Sequence, residues 1–329
     1  MRFVIAPLLA LVCACAPMSA AEDGVAPQQW TAIHVESTPV ELGAERVGRL
    51  VFRGGVELES DEGWFGGLSG MEVLGGDRVI FISDRADWFE ARLQFDEGGA
   101  LVGVNDVRTA QLRDTDGQPI ETHDDGDSEG LTQMRDGRLA VSFEQHPRIL
   151  IYDVNRDGPF GAAVEGPPLG GADRLPSNAS LEALTIDGEG NFVVGAEGGG
   201  GATPVWVAPL DASAPVPARF SYRPSLGYSL TGLDRGPDGG FFALERFYAP
   251  IIGARARIVF WPDSALAEPG AIEGAEELAL LAPPFLLDNF EAIATVRRAD
   301  GGVRIYIASD DNMSDRQRTL IYAFDLESN

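Results

Sequence analysis

Acidic residues recur in this chain at the places where a repeated unit begins and ends. Five segments align: Ser69-Gly70-Met71 to Ser83-Asp84, Glu129-Gly130-Leu131 to Phe143-Glu144, Glu182-Ala183-Leu184 to Ala196-Glu197, Thr231-Gly232-Leu233 to Leu244-Glu245, and Glu291-Ala292-Ile293 to Ser309-Asp310. Each opens with a polar, a small and an apolar residue, crosses a Gly-containing turn, and closes an apolar run with Asp or Glu. Read as a β-hairpin, such a unit sets its first and last residues side by side. Glu129 then stands beside Glu144, Glu182 beside Glu197, Glu291 beside Asp310, Thr231 beside Glu245 and Ser69 beside Asp84. If the five hairpins share one opening, eight carboxylates face a common space.

Carboxylates about 4 Å apart repel strongly enough that some must stay protonated. A Ca²⁺ ion relieves that repulsion, because it accepts six to eight oxygen ligands in loose geometry. On this reading Asp84, Glu129, Glu182, Glu245, Glu291 and Asp310 hold calcium. Asn178, Asn289 and Asn312 lie close by in sequence and supply neutral oxygens. Glu144 and Glu197 are then the candidates to take a proton from an attacking water. Arg85, Arg246, Asn178 and Asn289 are the candidates to contact substrate. The alternative left open is a mouth whose acids pair with Arg85, Arg246, Arg255 or Arg257, or stay solvated.

Other chemistries fit less well. His34, His123 and His146 include no pair at a zinc-ligand spacing. His146 follows Glu144 by two residues and is either an acid–base group or a surface loop residue. His123 lies in an acidic loop whose Asp124, Asp125 or Asp127 could ligate a cation. Gly67-Leu-Ser69-Gly70 lacks the Gly-x-Ser-x-Gly pattern of a nucleophile elbow. The four glycines at 198–201 neither open a helix nor precede a Lys, as a phosphate loop requires. Trp64, Phe65, Trp88, Phe89, Phe247 and Tyr248 either wall a pocket near the acids or pack between repeats.

The elements that must position these residues are short strands. Gly and Pro contribute 40 and 21 residues and break the aliphatic runs every few positions. The apolar anchors Met71, Leu131, Leu184, Leu233 and Ile293 are 60, 53, 49 and 60 residues apart, the size of a four-stranded propeller blade. The expected fold is an all-β, six-bladed β-propeller forming a single domain. The sixth blade would join strand-like N-terminal stretches, Arg49 to Arg53 and Val56 to Glu59, to the C-terminal run Leu320 to Leu326, hiding sheet edges.

The first 21 residues differ: a basic start, an apolar stretch from Phe3 to Ala16, then small residues suited to cleavage, which together read as an export signal. The expected division is signal peptide 1–21, N-terminal extension 22–44 and propeller 45–326. The apolar stretch is shorter than the roughly 18 residues of a membrane span, so the mature protein is expected to be periplasmic or secreted. Both cysteines, Cys13 and Cys15, lie in the leader. Val12-Cys13-Ala14-Cys15 loosely matches a lipoprotein box, making Cys15 a candidate lipid anchor. With 51 acidic against 25 basic residues, the net charge of −26 repels nucleic acid and anionic membranes. The expected partner is a small molecule, bound by a monomer.

Gly67-Leu-Ser-Gly-Met with Ser83-Asp-Arg85, Asp127-Ser-Glu-Gly-Leu131 with Phe143-Glu144, Asn178 with Leu181-Glu-Ala-Leu184 and Glu197, Leu244-Glu-Arg246, and Asn289-Phe-Glu-Ala-Ile293 with Ser309-Asp-Asp-Asn312 together resemble the phytase-like β-propeller domain. The family is also described by esterase-like activity. The resemblance spans roughly residues 45–326 and implies a propeller, export, and hydrolysis of a phosphate or carboxylate ester. The alkaline phytases of this type use several calcium ions held by carboxylates. The Asp-Ala-Asp-Asp-Pro block associated with them is absent here, as is a basic cluster suited to a polyphosphate. Two other readings remain: a gluconolactonase-type lactonase with one central calcium, and a non-catalytic binding or scaffold propeller.

Overall fold

The computed structural model describes residues 30–198 and 201–327; the leader, with Arg2, Cys13 and Cys15, lies outside them. Among the described residues the repeats become five antiparallel blades of four successive strands; blades 1 and 5 join at their outer strands into one 11-stranded sheet, and Gly270–Ala271 adds a parallel fifth strand to the sheet of blade 3. Blade 1 runs from its inner to its outer strand through Leu68–Gly75, Arg78–Ser83, Asp87–Phe95 and Leu101–Gln111. Blade 2 is Ser128–Gln133, Leu139–Phe143, Arg148–Tyr152 and Val164–Glu165. Blade 3 is Ala183–Ile186, Phe192–Gly195, Thr203–Ala208 and Phe220–Tyr222. Blade 4 is Ser229–Arg235, Phe241–Ala249, Gly253–Trp261 and Glu276–Leu281. Blade 5 is Asn289–Arg297, Val303–Asp310, Thr319–Leu326 and, from the N-terminal end of the chain, Leu50–Glu59. Each inner strand packs against the next, and blade 5 returns to blade 1, so the ring is closed.

The all-β propeller agrees with the sequence reading, but the described residues form five blades where six were expected. Leu50–Glu59 does pair with Thr319–Leu326, in register Thr319↔Leu58 through Leu326↔Leu50. That pairing supplies the outer strand of blade 5; the remaining N-terminal strands add to existing blades, Glu36–Val40 and Arg46–Val47 onto Leu50–Glu59 and Thr31–Ala32 onto blade 1, and form no further blade. The closure ties the two ends of the domain together, and its apolar face joins the core between blades 5 and 1 through Val56, Leu58 and Ile321. Four further cores lie between the other successive blades, which is why strands such as Val79–Ile82 and Phe192–Val194 are apolar without alternation.

Two features of the repeat explain how closely the inner strands approach. The opening hydroxyl or its hairpin partner donates to a carbonyl of the next blade: Ser69 Oγ to Ser128 O at 2.5 Å, Ser142 Oγ to Leu181 O at 2.9 Å, and Thr231 Oγ1 to Phe290 O at 3.3 Å. The small residue that follows lies against the next inner strand. A Cβ on Gly232 would stand 2.5 Å from the carbonyl oxygen of Glu291, and one on Gly70 2.9 Å from that of Glu129. The recurrent glycine is therefore a packing requirement at the axis. It leaves about 10 Å³ of open space there, on the order of one water.

Gly232→Ala is expected to destabilise the protein by on the order of 2–3 kcal/mol, since the atom it meets is backbone and cannot swing away. Gly63→Ala, where a Cβ meets nothing within 4 Å, should leave stability unchanged. Denaturant melts of the two variants check this.

Candidate functional site

Four of the five hairpins, those of blades 1, 2, 3 and 5, deliver their acidic ends to one mouth of the narrow channel. The residue closing the second strand donates its backbone N–H to the segment just before the inner strand: Asp84 N to Gly67 O at 2.9 Å, Glu144 N to Asp127 O at 2.8 Å, and Glu197 N to Ser180 O at 2.9 Å. In blade 5 Asn289 and Asp310 are direct register partners. Glu129, Glu182 and Glu291 come from the inner strands or the residue leading into them, and all three are buried.

Burial raises the pKa of most of these carboxyls, and their neighbours' charges raise it further. Glu144 and Asp310 are pushed up to about 7, Glu291 to about 8 and Asp84 to about 6. Glu129 and Glu182 are held well above the ordinary carboxylate range. The repulsions are mutual: Asp84 feels Asp127 and Glu291, Glu129 feels Glu182, Glu291, Asp127 and Glu144, Glu182 feels Glu197, and Asp310 feels Asp84. Eight carboxylates thus share one electrostatic environment: Asp84, Asp127, Glu129, Glu144, Glu182, Glu197, Glu291 and Asp310.

The principal counter-charge inside the cluster is Arg246. Its guanidinium donates to Glu197 Oε1 at 2.7 Å and Asn289 Oδ1 at 2.6 Å, and lies 3.5 Å from Glu291 Oε1. Asn289 donates in turn to Glu291 Oε1 at 2.8 Å and Asp310 Oδ2 at 3.2 Å. The arginine from blade 4 and the asparagine therefore tie the acids of blades 3 and 5 together.

Several expectations need correction. Glu245 does not join the mouth: its carboxylate is fully buried and accepts from Tyr222 Oη and Arg257 Nη1. Successive strand residues point to opposite faces, so when Arg246 reaches the centre its neighbour Glu245 turns away. Asn178 is exposed on the turn before Ala179 and Arg85 is exposed beside Asp84, so neither is packed into the cluster. Asp127, beside Glu129 and Glu144 of blade 2, is the eighth carboxylate of the cluster in the count where Glu245 was expected; its signal was the Asp-Ser-Glu run in which it precedes Glu129 by two residues. Glu144, read as a proton acceptor, stands among potential ligands. His146 lies on the exposed rim with Nδ1 2.9 Å from Asp125 Oδ1. Trp88 and Phe89 are buried in the inter-blade cores, whereas Tyr248 is 67% exposed.

Oxygen atoms of Asp127, Glu129 and Glu144 all lie within 4.8 Å of one another, and all three residues are buried. Asp84 Oδ1 is buried without a hydrogen-bond partner, pressed against Gly67, where a Cβ would come within 2.1 Å of it. An unpartnered acceptor beside a tight set of hard oxygen donors fits a cation of the calcium type and does not suit zinc, which favours nitrogen and sulfur. Ser180 N donates to Glu144 Oε1 at 3.1 Å and orients that carboxylate.

No helix among the described residues is long and apolar enough to cross a membrane. The chain is similar in structure to a PQQ-bound aldose sugar dehydrogenase from Streptomyces coelicolor, at 12% identity and a TM-score of 0.44, over 92% of this chain and 100% of that one. It is similar to a putative gluconolactonase at 13% identity and a TM-score of 0.44, over 92% and 93%. A streptogramin B lyase aligns at 11% identity and a TM-score of 0.39, over 91% and 89%. No curated protein matches it. A family model described as esterase-like activity of phytase matches residues 63–313, the span that contains the five hairpins and all eight clustered carboxylates, and the chain belongs to this Phytase-like family.

Proposed function

We propose that this is an exported, calcium-dependent hydrolase of a phosphate or carboxylate ester, working as a monomer at the acidic mouth of the propeller. The observation that carries this reading is the buried set Asp127, Glu129 and Glu144, with oxygens within 4.8 Å of one another beside the unpartnered Asp84 Oδ1. Asp84, Asp127, Glu129 and Glu144 would hold calcium, with Glu182, Glu291 and Asp310 completing the negative surround. Bound there, calcium supplies a positive charge that polarises an ester oxygen and acidifies water.

The chain's own groups do the rest. Glu197 stands at the less buried edge of the cluster with Oε1 fixed by Arg246, and takes a proton from water. The water oxygen bonds to the ester carbon or phosphorus, the bond to the leaving oxygen breaks, and that oxygen receives the proton. Arg246 and Asn289 act as positioning residues, because they fix Glu197, Glu291 and Asp310 in one arrangement. The leader-like first 21 residues support export to the periplasm or medium.

Carboxyls whose folded pKa is raised stabilise the fold only while protonated. Their contribution to the metal-free protein should therefore be full below about pH 4, the unfolded carboxylate range, and be lost as pH rises from there through about 6 to 8, the folded values of Asp84, Glu144, Asp310 and Glu291. At pH 8, calcium at a hundredfold excess over Kd should restore about 2.7 kcal/mol. Thermal melts across pH, with calcium or chelator, read both effects; a pH- and chelator-insensitive melt speaks for a scaffold. Glu129→Gln should abolish the calcium-dependent rise in Tm.

Glu197→Gln should keep that rise and lower kcat by at least about a hundredfold. The assay is a panel of p-nitrophenyl esters, phosphate esters and lactones with calcium and with chelator. Turnover confined to lactones would move the assignment to a lactonase, and turnover in no lane would remove the hydrolase reading.

A further inference from the structure

Blade 4 departs from the others at the mouth. Among the described residues, the second strands of blades 1, 2, 3 and 5 stop at Ser83, Phe143, Gly195 and Asp310, level with the carboxylates. In blade 4 the second strand runs on to Ala249, and beyond Arg246 it pairs only with the third strand, in register Phe247↔Arg255, Tyr248↔Ala254 and Ala249↔Gly253. Three residues past the last inner-strand partner carry the hairpin about 10 Å beyond the body of the blade.

This projection is apolar. Tyr248 is 67% exposed, Ile251 100% and Ile252 50%, and Leu226, on the neighbouring turn, is 95% exposed. The projection is also braced. Phe247 packs on Tyr228 with ring centroids 5.4 Å apart, and a Cβ on Gly227 would stand only 3.2 Å from the Phe247 ring. Tyr228 is covered on another side by the Arg257 guanidinium at 5.5 Å. Because residues two apart on a strand share a face, Tyr248 lies on the face from which Arg246 reaches Glu197 and Asn289.

We infer that this hairpin is a specificity element that receives an apolar alkyl or aryl group of the substrate while the anionic or ester head lies at the carboxylate centre. The inference rests on the hydrolase reading and narrows its substrate class. Continuity argues for a ligand: the apolar tip begins two residues after the arginine that organises the centre. Charge argues against the other occupants. The chain contains no lysine, its net charge is −26, and Arg246 and Arg257 are committed to Glu197, Asn289 and Glu245, which leaves Arg85 and Arg255 as guanidiniums near the mouth without an ion-pair partner among the described residues. Two such arginines against so large a negative charge leave a polyphosphate or an anionic bilayer facing net repulsion at this mouth.

Binding of non-hydrolysable alkylphosphonates to the calcium-loaded protein tests the idea without requiring turnover. Titration calorimetry is expected to give octylphosphonate at least tenfold tighter binding than methylphosphonate. In Tyr248→Ser/Ile251→Ser/Ile252→Ser that ratio should fall below about threefold, with an unaltered Tm because these side chains are exposed. Affinity independent of chain length, no binding of any phosphonate, or a ratio preserved in the variant overturns the inference. If esters are still turned over in any of those cases, the hydrolase reading survives it. Co-sedimentation with neutral phosphatidylcholine vesicles that is lost in the variant would reassign the hairpin to a membrane and also overturn it.

Discussion

Mutual repulsion among eight carboxylates, drawn to one end of a narrow ring, is the constraint around which the molecule is arranged. Solvent does not screen it, because Glu129, Glu182 and Glu291 are buried, and the backbone does not relax it, because each acid is fixed by hairpin register. Arg246 within the cluster, with Arg85 beside Asp84, offsets part of the charge. The fold holds this cluster because five inter-blade cores and the closing pairing of Leu50–Glu59 with Thr319–Leu326 supply stability from elsewhere. Such stored unfavourable energy is characteristic of functional sites.

The same small set of local choices builds the ring and the site. A hydroxyl or an acid opens the inner strand, and a glycine or alanine next to it lets the neighbouring strand come close. That closeness brings the acids of successive blades into range of one another. Tightness at the axis and crowding at the mouth are two results of one packing event, so changes at Gly70, Gly130 or Gly232 act on both.

The ends of the hairpins were legible in the sequence because the repeat is a backbone regularity: polar, small, apolar, turn, apolar run, acid. Asp84, Glu129, Glu144, Glu182, Glu197, Glu291 and Asp310 fall where that regularity puts them. Glu245 does not, because its side-chain direction depends on strand alternation and on Arg257 and Tyr222, which arrive from outer strands. Asp127 lies one step outside the repeat: the sequence offered it only as one of three loop aspartates that could ligate a cation, and the turn that brings it against Glu129 and Glu144 singles it out. The blade count was misread for a related reason. The N-terminal and C-terminal strands pair as the pattern suggests, but only the three-dimensional count of strands shows that they finish blade 5.

If the acids are crowded so that a cation can relieve them, cation and protons must compete for the same oxygens. Calorimetric titration of chelator-stripped protein with calcium near pH 6.5, in two buffers of different ionisation enthalpy, measures that competition directly. The account predicts tight binding with net release of about one proton or more per protein, since Glu144, Asp310 and Glu291 hold theirs up to about 7 to 8. Absence of binding, or binding with no proton release in either buffer, would contradict it.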